Sequence, residues 1–285
     1  MKNSKIKIIG ITGATGVLGR KLIIKLKNYN LIIFKGDISI KQNVYSWVNR
    51  NNFDAVIHLA AIVSTTKVSK GKNKALKVNY FGTKYLIDAL IINQKKNNKK
   101  MWFFFASSSH VYSFSKNKKK EESKVKPLSY YGSLKDKAEK YLLKKSSLIN
   151  ICIGRIFSFT DVKQNKSFFL PSIYHKIKEE EAVSYYKLYR EIRDFISVDD
   201  IIRALIMLMR INYRGVINIC NGKEVNLFNI YKTISKYLGK KVIKKRPYKN
   251  FNILVGDNSE LKKIGFKANH NIKDIITNYH KNITA

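Results

Sequence analysis

The chain has 285 residues and 45% apolar content, enough to bury a full core as one large domain or as one domain with a smaller lobe. No apolar run approaches the roughly 18 residues needed to cross a bilayer, so the sequence excludes a membrane-spanning helix and no membrane partner is expected. The net charge of +37 is compatible with nucleic acid, a membrane surface or an anionic substrate. Yet the lysines are spread along the whole chain among many Asn and Ile residues, which share AT-rich codons, so a solvated basic surface is expected rather than a nucleic-acid partner.

The opening MKNSKIKIIGITGATG has lysines and then a short apolar run, the outline of a signal peptide. The run leads straight into a Gly-Thr loop with no small-residue cleavage site, and it reads as a first strand. Helical spacing follows in VLGRKLIIKLKNY, a short strand in LIIF, a helix in VYSWVNRNN and a buried strand in FDAVIHLAA. NKALKVNYFGTKYLIDALIINQ has the pattern of a long amphipathic helix, and KMWFFFASSS is another strand. The one compact charge run, SKNKKKEESK (115–124), carries acids of its own. SYYGSLKDKAEKYLL (129–143) is a helix and LINICIGRIF a strand. Short apolar strands alternating with helices predict parallel βαβ units with helices on both faces of a sheet. After residue 160 the pattern loosens, which predicts a small C-terminal lobe over the carboxyl edge of the sheet. Cys152 and Cys220 sit in strand-like runs and read as buried free thiols, which fits a cytoplasmic protein. No residues have metal-ligand spacing.

IIGITGATGVLGRKL follows a strand and opens a helix, the setting that a phosphate-binding glycine loop requires. Gly13 allows the tight turn, Gly16 the approach of a pyrophosphate and Gly19 the close packing of helix on strand. The acid that binds the ribose in such folds falls about 20 residues on, and Asp37 is the candidate. Lys35 stands nearby, where it favours a 2′-phosphate or is an ordinary surface lysine. NAD and NADP both remain open.

Tyr131 and Lys135 lie four residues apart, a spacing that puts both on one helix face. Taken alone the pair is weak evidence in a chain rich in both residues. The blocks around it resemble the extended short-chain dehydrogenase/reductase family of NAD-dependent epimerases and dehydratases that act on nucleotide sugars. They are TGATGVLG (12–19), GDI (36–38), HLAA (58–61), NYFGT (79–83), SSSHVY (107–112), YGSLK (131–135), RIF (155–157), RDFISVDD (193–200) and GDNSELKKIGF (256–266). The resemblance runs over nearly the whole chain, and the order and spacing of the blocks are specific. It implies an α/β fold, a Rossmann-type doubly wound parallel sheet over residues 1–160. It also implies a small C-terminal substrate-binding lobe over most of 161–285, with about 193–222 returning to the core.

The resemblance implies catalysis by Ser108, Tyr131 and Lys135. The serine hydrogen-bonds the reacting oxygen, the tyrosine moves its proton, and the ammonium lowers the phenol pKa and holds the nicotinamide ribose. Cofactor contacts are implied for Gly13, Thr15, Gly16, Val17, Leu18 and Gly19, for Asp37 and Ile38, for Leu59, Ala60 and Ala61, and for Asn79, Tyr131 and Lys135. Substrate contacts are implied for His110, Ser158, Arg193 and Arg246; Ser158 stands where relatives often have Asn. Ser109 and His110 occupy the positions where 4,6-dehydratases carry an acid, so dehydration is disfavoured. The expected activity is a 4-epimerase or a 4-keto reductase on a nucleotide sugar. A non-catalytic dinucleotide sensor or a polyanion-binding module on the same fold is the alternative. The resemblance also implies a homodimer through helices 74–94 and 131–145, with Leu86, Leu90, Leu142 and Leu143 as candidate interface residues.

Overall fold

The computed structural model of the chain describes residues 6–179, 185–242 and 251–284. It divides into two compact units. The first holds the residues up to Val111, Val125–Arg155 and Ile202–Ile217, and the second holds Tyr112–Lys124, Ile156–Ile201 and the residues from Asn218 on.

In chain order the elements begin with β1 (Ile8–Thr12), α1 (Val17–Lys25), β2 (Asn30–Ile33), α2 (Lys41–Asn49), β3 (Ala55–His58), α3 (Thr65–Lys70) and α4 (Lys72–Leu76). A π-turn over Lys77–Phe81 then joins α4 to α5 (Gly82–Lys96), followed by β4 (Trp102–Ser108), α6 (Tyr130–Leu143) and β5 (Asn150–Ile156). The rest are α7 (Phe169–Lys178), α8 (Tyr185–Arg190), β6 (Glu191–Arg193), α9 (Val198–Arg210), β7 (Gly215–Ile219) and β8 (Val225–Asn226). They end with α10 (Leu227–Tyr237), β9 (Asn252–Leu254), α11 (Ser259–Lys263) and α12 (Ile272–Thr284).

Six strands form one parallel sheet in the order β2-β1-β3-β4-β5-β7. Every residue of AVIH in β3 and NICIGRI in β5 is buried, as a strand covered on both faces requires. This is the doubly wound α/β architecture expected from the alternation of strands and helices. Its order reverses between β1 and β3, the switch point at which open α/β sheets bind ligands beyond their carboxyl ends. In the second unit β8, β6 and β9 make a small separate sheet, and α7, α8, α10 and α12 share their own apolar cluster. No helix of the described residues is long and apolar enough to cross a membrane.

One expectation is corrected here. Leu86, Leu90 and Leu142 are fully buried in the core of the first unit, where they pack with Val44, Phe103 and Ile151. They supply no apolar outer surface for a partner. Only Leu143 is exposed, at 44%. An alternating apolar pattern marks a covered face but does not say what covers it, and here the sheet and α2 do.

Buried polar groups tie the carboxyl ends of the strands together. The His58 ring, at the end of β3, hydrogen-bonds the Thr12 hydroxyl at the end of β1 (2.6 Å) and the Thr83 hydroxyl on α5 (2.9 Å). Burial, reinforced by the charge of Lys135, pushes this imidazole from 6.5 down to about 3, so it stays neutral. Between those two values the unfolded chain binds a proton that the folded chain does not. The stability of the neutral bridge is therefore fully present above about 6.5 and is lost as pH falls towards 3. His58→Gln keeps a hydrogen-bonding side chain but does not titrate. Its urea midpoint is expected to fall less steeply than that of the wild type between pH 6.5 and 4. Parallel slopes for the two proteins would refute the bridge as a source of acid sensitivity.

Candidate active site

The chain leaves β1 through Gly13, whose φ of +75° suits glycine alone. A Cβ there would stand 2.5 Å from the Ala60 nitrogen and 2.6 Å from the Leu59 carbonyl carbon, so the loop lies flush against the segment after β3. Gly19, buried in α1, would place a Cβ into the Gly13 carbonyl oxygen and 2.7 Å from the Ala14 Cα. Gly16 is different. A Cβ there would meet only the Gly13 oxygen, at 3.3 Å, and the position is exposed.

Gly16 is also the residue before α1, and it offers the helix no side-chain cap. The amides of the first turn thus have no side-chain acceptor, and the helix dipole adds partial positive charge beside them. Arg20, on the first turn, donates to the Thr15 carbonyl and braces the loop. Bare backbone, free amides and open space at one helix end fit the pyrophosphate of a dinucleotide. Val17 and Leu18 are half-buried just behind this cradle.

The remaining expected cofactor positions line the neighbouring strand ends. Leu59, Ala60 and Ala61 are half-buried after β3. The side-chain amide of Asn79 brackets Ile62, accepting from its N–H (2.8 Å) and donating to its carbonyl (2.9 Å), so it fixes that segment. Asn79 lies within the π-turn, a feature that recurs at functional sites. Asp37 is exposed. Its carboxylate accepts from the Ser39 hydroxyl (2.7 Å) and backbone N–H (2.8 Å), and these bonds hold its pKa below the ordinary carboxylate value. Ile38 is buried, against the position of Gly82, and Lys35 is exposed.

Ser108, His110, Tyr131 and Lys135 come together at the carboxyl end of β4. Helix α6 reaches this strand end because Gly132 has no side chain: a Cβ there would overlap the His110 carbonyl oxygen. Ser129 caps the helix by accepting from the Gly132 N–H at 3.1 Å. The Tyr131 phenol is buried and hydrogen-bonded to Ser108. Lys135, 2% exposed, donates its ammonium to the Ala106 carbonyl at 2.6 Å and lies 4.5 Å from the centre of the Phe105 ring. The His110 backbone N–H donates to the Ser108 hydroxyl (3.2 Å). The His110 ring contacts the Ser129 hydroxyl (3.3 Å) and meets Tyr131 edge-on at 5.9 Å.

Burial governs the protonation of this pair. It pushes the Tyr131 phenol up to about 12, against the lowering effect of the Ser108 hydrogen bond. It pushes Lys135 down to about 7, against the opposing pull of Glu139. The Tyr-x-x-x-Lys spacing alone leads one to expect a phenol lowered by its ammonium. In the folded chain desolvation is the larger influence on both groups.

Two of the expected substrate residues belong to the second unit. The Ser158 N–H donates to the Asp194 carbonyl (3.1 Å), and its carbonyl accepts from Ile196 (2.9 Å). The Arg193 guanidinium donates to the carbonyls of Ile192 (2.9 Å) and Asn252 (2.7 Å), pairs with Glu191 and lies over Phe114 at 4.8 Å. Arg246 lies outside the described residues.

The sequence reading missed a buried ion pair beneath the site. Glu139 on α6 takes the Arg155 guanidinium on both carboxylate oxygens, with bonds of 2.6 to 3.1 Å, and it accepts from the Ser107 hydroxyl. The signal was present: Glu139 falls four residues after Lys135 on the same helix face.

A glycine-rich strand-loop-helix turn and a Ser-Tyr-Lys cluster thus lie in one unit of a Rossmann-like α/β fold. The sequence matches the NAD dependent epimerase/dehydratase family over residues 9–220, and the chain belongs to that family. No curated protein matches it. Among solved structures it resembles the UDP-glucose 4-epimerase of Thermus thermophilus in complex with NAD, at 16% identity and a TM-score of 0.85, covering 98% of this chain and 99% of that one. It also resembles the UDP-N-acetylglucosamine 4-epimerase of Methanobrevibacter ruminantium in complex with UDP-N-acetylmuramic acid, at 24% identity and a TM-score of 0.79, covering 98% and 99%. RMD from Pseudomonas aeruginosa complexed with NADPH matches at 21% identity and a TM-score of 0.80, covering 95% and 96%. At these identities the likeness shows the shared fold.

The space beside Gly16 generates a prediction. Gly16→Val puts a branched side chain into the cradle while disturbing little else. The variant is expected to keep the wild-type circular dichroism and melting curve and to lose at least about tenfold, or 1.4 kcal/mol, in affinity for NAD(P). Unchanged affinity in the folded variant would show that the pyrophosphate lies elsewhere.

Proposed function

We propose that the protein is an NAD(P)-dependent nucleotide-sugar enzyme, a 4-epimerase or a 4-keto reductase. The observation that carries this reading is the cluster of Ser108, Tyr131 and Lys135 at one strand end, in the same unit as the glycine cradle. Family membership supports it, and two of the similar structures are UDP-sugar 4-epimerases. Positions 109 and 110 carry Ser and His rather than the acid that 4,6-dehydratases have there, which argues against dehydration.

A bound nicotinamide dinucleotide, its pyrophosphate held at the Gly13–Gly19 loop, would supply the two-electron chemistry, taking or giving hydride at a sugar carbon. Tyr131 handles the proton at the sugar oxygen. With its pKa near 12 it rests as a phenol, poised to give a proton to a ketone oxygen as that oxygen gains charge. In the opposite direction its oxygen takes the proton of a hydroxyl, helped by the Ser108 hydrogen bond, which favours the phenolate. Ser108 also offers its hydroxyl to the reacting oxygen. The Lys135 ammonium steadies negative charge on the phenol oxygen and is available to the nicotinamide ribose. Retention of the cofactor through purification distinguishes the epimerase, which restores it in each cycle, from the reductase, which exchanges it.

The subunits are proposed to pair through the outer surfaces of α5 and α6. That surface carries half-buried Tyr80, Phe81, Tyr85 and Tyr141, with Asp88 joining the Lys84 ammonium to the Tyr141 hydroxyl at 2.7 Å each. A dimer by light scattering at micromolar concentration is expected, and a monomer there would overturn the pairing.

The catalytic reading is tested on a panel of UDP-, GDP- and dTDP-sugars and their 4-keto forms, each with both cofactors. On the best substrate Tyr131→Phe is expected to lower turnover by about 10²- to 10⁴-fold, the range that a positioned acid/base supplies, with cofactor affinity kept. Near-normal turnover in that variant would overturn the assignment and leave a dinucleotide-binding protein of another kind.

A further inference from the structure

Three consecutive residues at the end of β4 engage three residues spaced four apart on α6. Ser108 hydrogen-bonds Tyr131, the Ala106 carbonyl takes the Lys135 ammonium, and the Ser107 hydroxyl donates to Glu139. Tyr131, Lys135 and Glu139 share one helix face, so the strand end grips the helix at three successive turns. Glu139 is 2% exposed, Arg155 on β5 is 4% exposed and Ser107 is 4% exposed. The carboxylate is thus fixed from two strands at once, at a depth where water screens little.

We infer that Glu139, clamped by Arg155 and Ser107, is a positioning residue that keeps the Lys135 ammonium charged where it stands, on the Ala106 carbonyl one helical turn from Tyr131. The inference rests on the acid/base reading of Tyr131 and Lys135 given above. Its physical basis is that an ammonium in this interior has lost its water. Its compensation consists of one carbonyl, the face of Phe105 and the field of Glu139. The titratable and charged groups that face it are Tyr131 and Glu139 from its own helix, His58 from β3, and Arg155 on β5 through its pairing with Glu139. His58 is neutral at working pH, and Arg155 is neutralised by Glu139 itself. Glu139 is therefore the one of these groups that favours the ammonium, and burial is the influence it opposes. A purely structural Glu139–Arg155 pair would stabilise the helix without altering how Lys135 titrates.

Carbon-13-labelled lysine NMR of the full chain reads that titration directly, without cofactor or substrate. The Lys135 signal is identified as the one missing from Lys135→Met. In the wild type its midpoint is expected near pH 7. In Glu139→Gln it is expected about one unit lower, the size of effect a close opposite charge commonly has. Glu139→Gln also leaves Arg155 buried without its counter-charge, which threatens folding. The double variant Glu139→Gln/Arg155→Met removes both charges together and is expected to lower the midpoint in the same direction by a smaller amount, since no uncompensated cation remains. Glu139→Asp keeps the pair, withdraws the carboxylate from Lys135 and is expected to show a smaller shift in the same direction. In the activity assay at pH 7.5 the Gln variants are expected to lose about tenfold in turnover and to recover part of it at pH 6, where the ammonium returns. An unmoved Lys135 midpoint in the folded Glu139→Asp and double variants would overturn the inference. That result is separate from the fate of the catalytic reading, which stands or falls with Tyr131→Phe.

Discussion

The approach of α6 to the end of β4 is the contact on which the candidate site depends. It is possible because Gly132 presents bare backbone to the His110 carbonyl. Once the helix is seated there, its i, i+4, i+8 face meets Ala106, Ser107 and Ser108. One backbone contact thereby places an alcohol on the phenol, a carbonyl on the ammonium and a second alcohol on the carboxylate. The same strand runs beside β3, whose His58 fixes the ends of β1 and α5. The glycine loop after β1 and the Ser-Tyr-Lys cluster at the end of β4 are therefore built on strand ends of one sheet, with β3 between them, rather than on separate loops.

The opposite shifts of Tyr131 and Lys135 follow from placing two ionisable groups in a site with little water. Desolvation penalises whichever form is charged, so it drives the phenol up and the ammonium down. The site at rest thus approaches a neutral pair. In such an interior a fixed dipole or a buried cation acts more strongly on a nearby charge than it would in water, because the low dielectric amplifies both. Glu139 is the charged neighbour that opposes the burial penalty on Lys135.

Much of the first unit was legible in the sequence. Strands buried on both faces read as continuous apolar runs, and the glycine spacing reports a backbone geometry that other residues resist. The shared helix face of Tyr131 and Lys135 was readable because a spacing of four is local in sequence. Contacts between distant residues were not. Nothing in the spacing of Ser107, Glu139 and Arg155 says that they meet, since they sit on three elements whose packing decides it. The same limit misled the reading of Leu86, Leu90 and Leu142, whose apolar face was real but was covered by the chain's own core. The phenol pKa was misjudged for a related reason: charge proximity can be counted along a helix, whereas burial is a property of the whole fold.

The acid-poor composition gives the buried carboxylates a particular weight. Against 56 basic residues the chain has 19 acids, and several of these are turned inward. Asp54 accepts from the backbone N–H groups of Lys7 (2.9 Å) and Ile8 (2.8 Å) at the start of β1. In the second unit Asp194 accepts from Asn221 and Gly222, while Asp200 accepts from Asn269 and His270. Each clasps chain segments brought together from afar, and none of these clasps can be replaced by a lysine. Asp54 also pairs with the Lys99 ammonium at 2.8 Å, but 19 acids against 56 bases leave most of the positive charge without a counter-charge, and salt screens what lies on the surface. The fold therefore tolerates a strongly basic composition because its few carboxylates stand at positions where the backbone needs an acceptor.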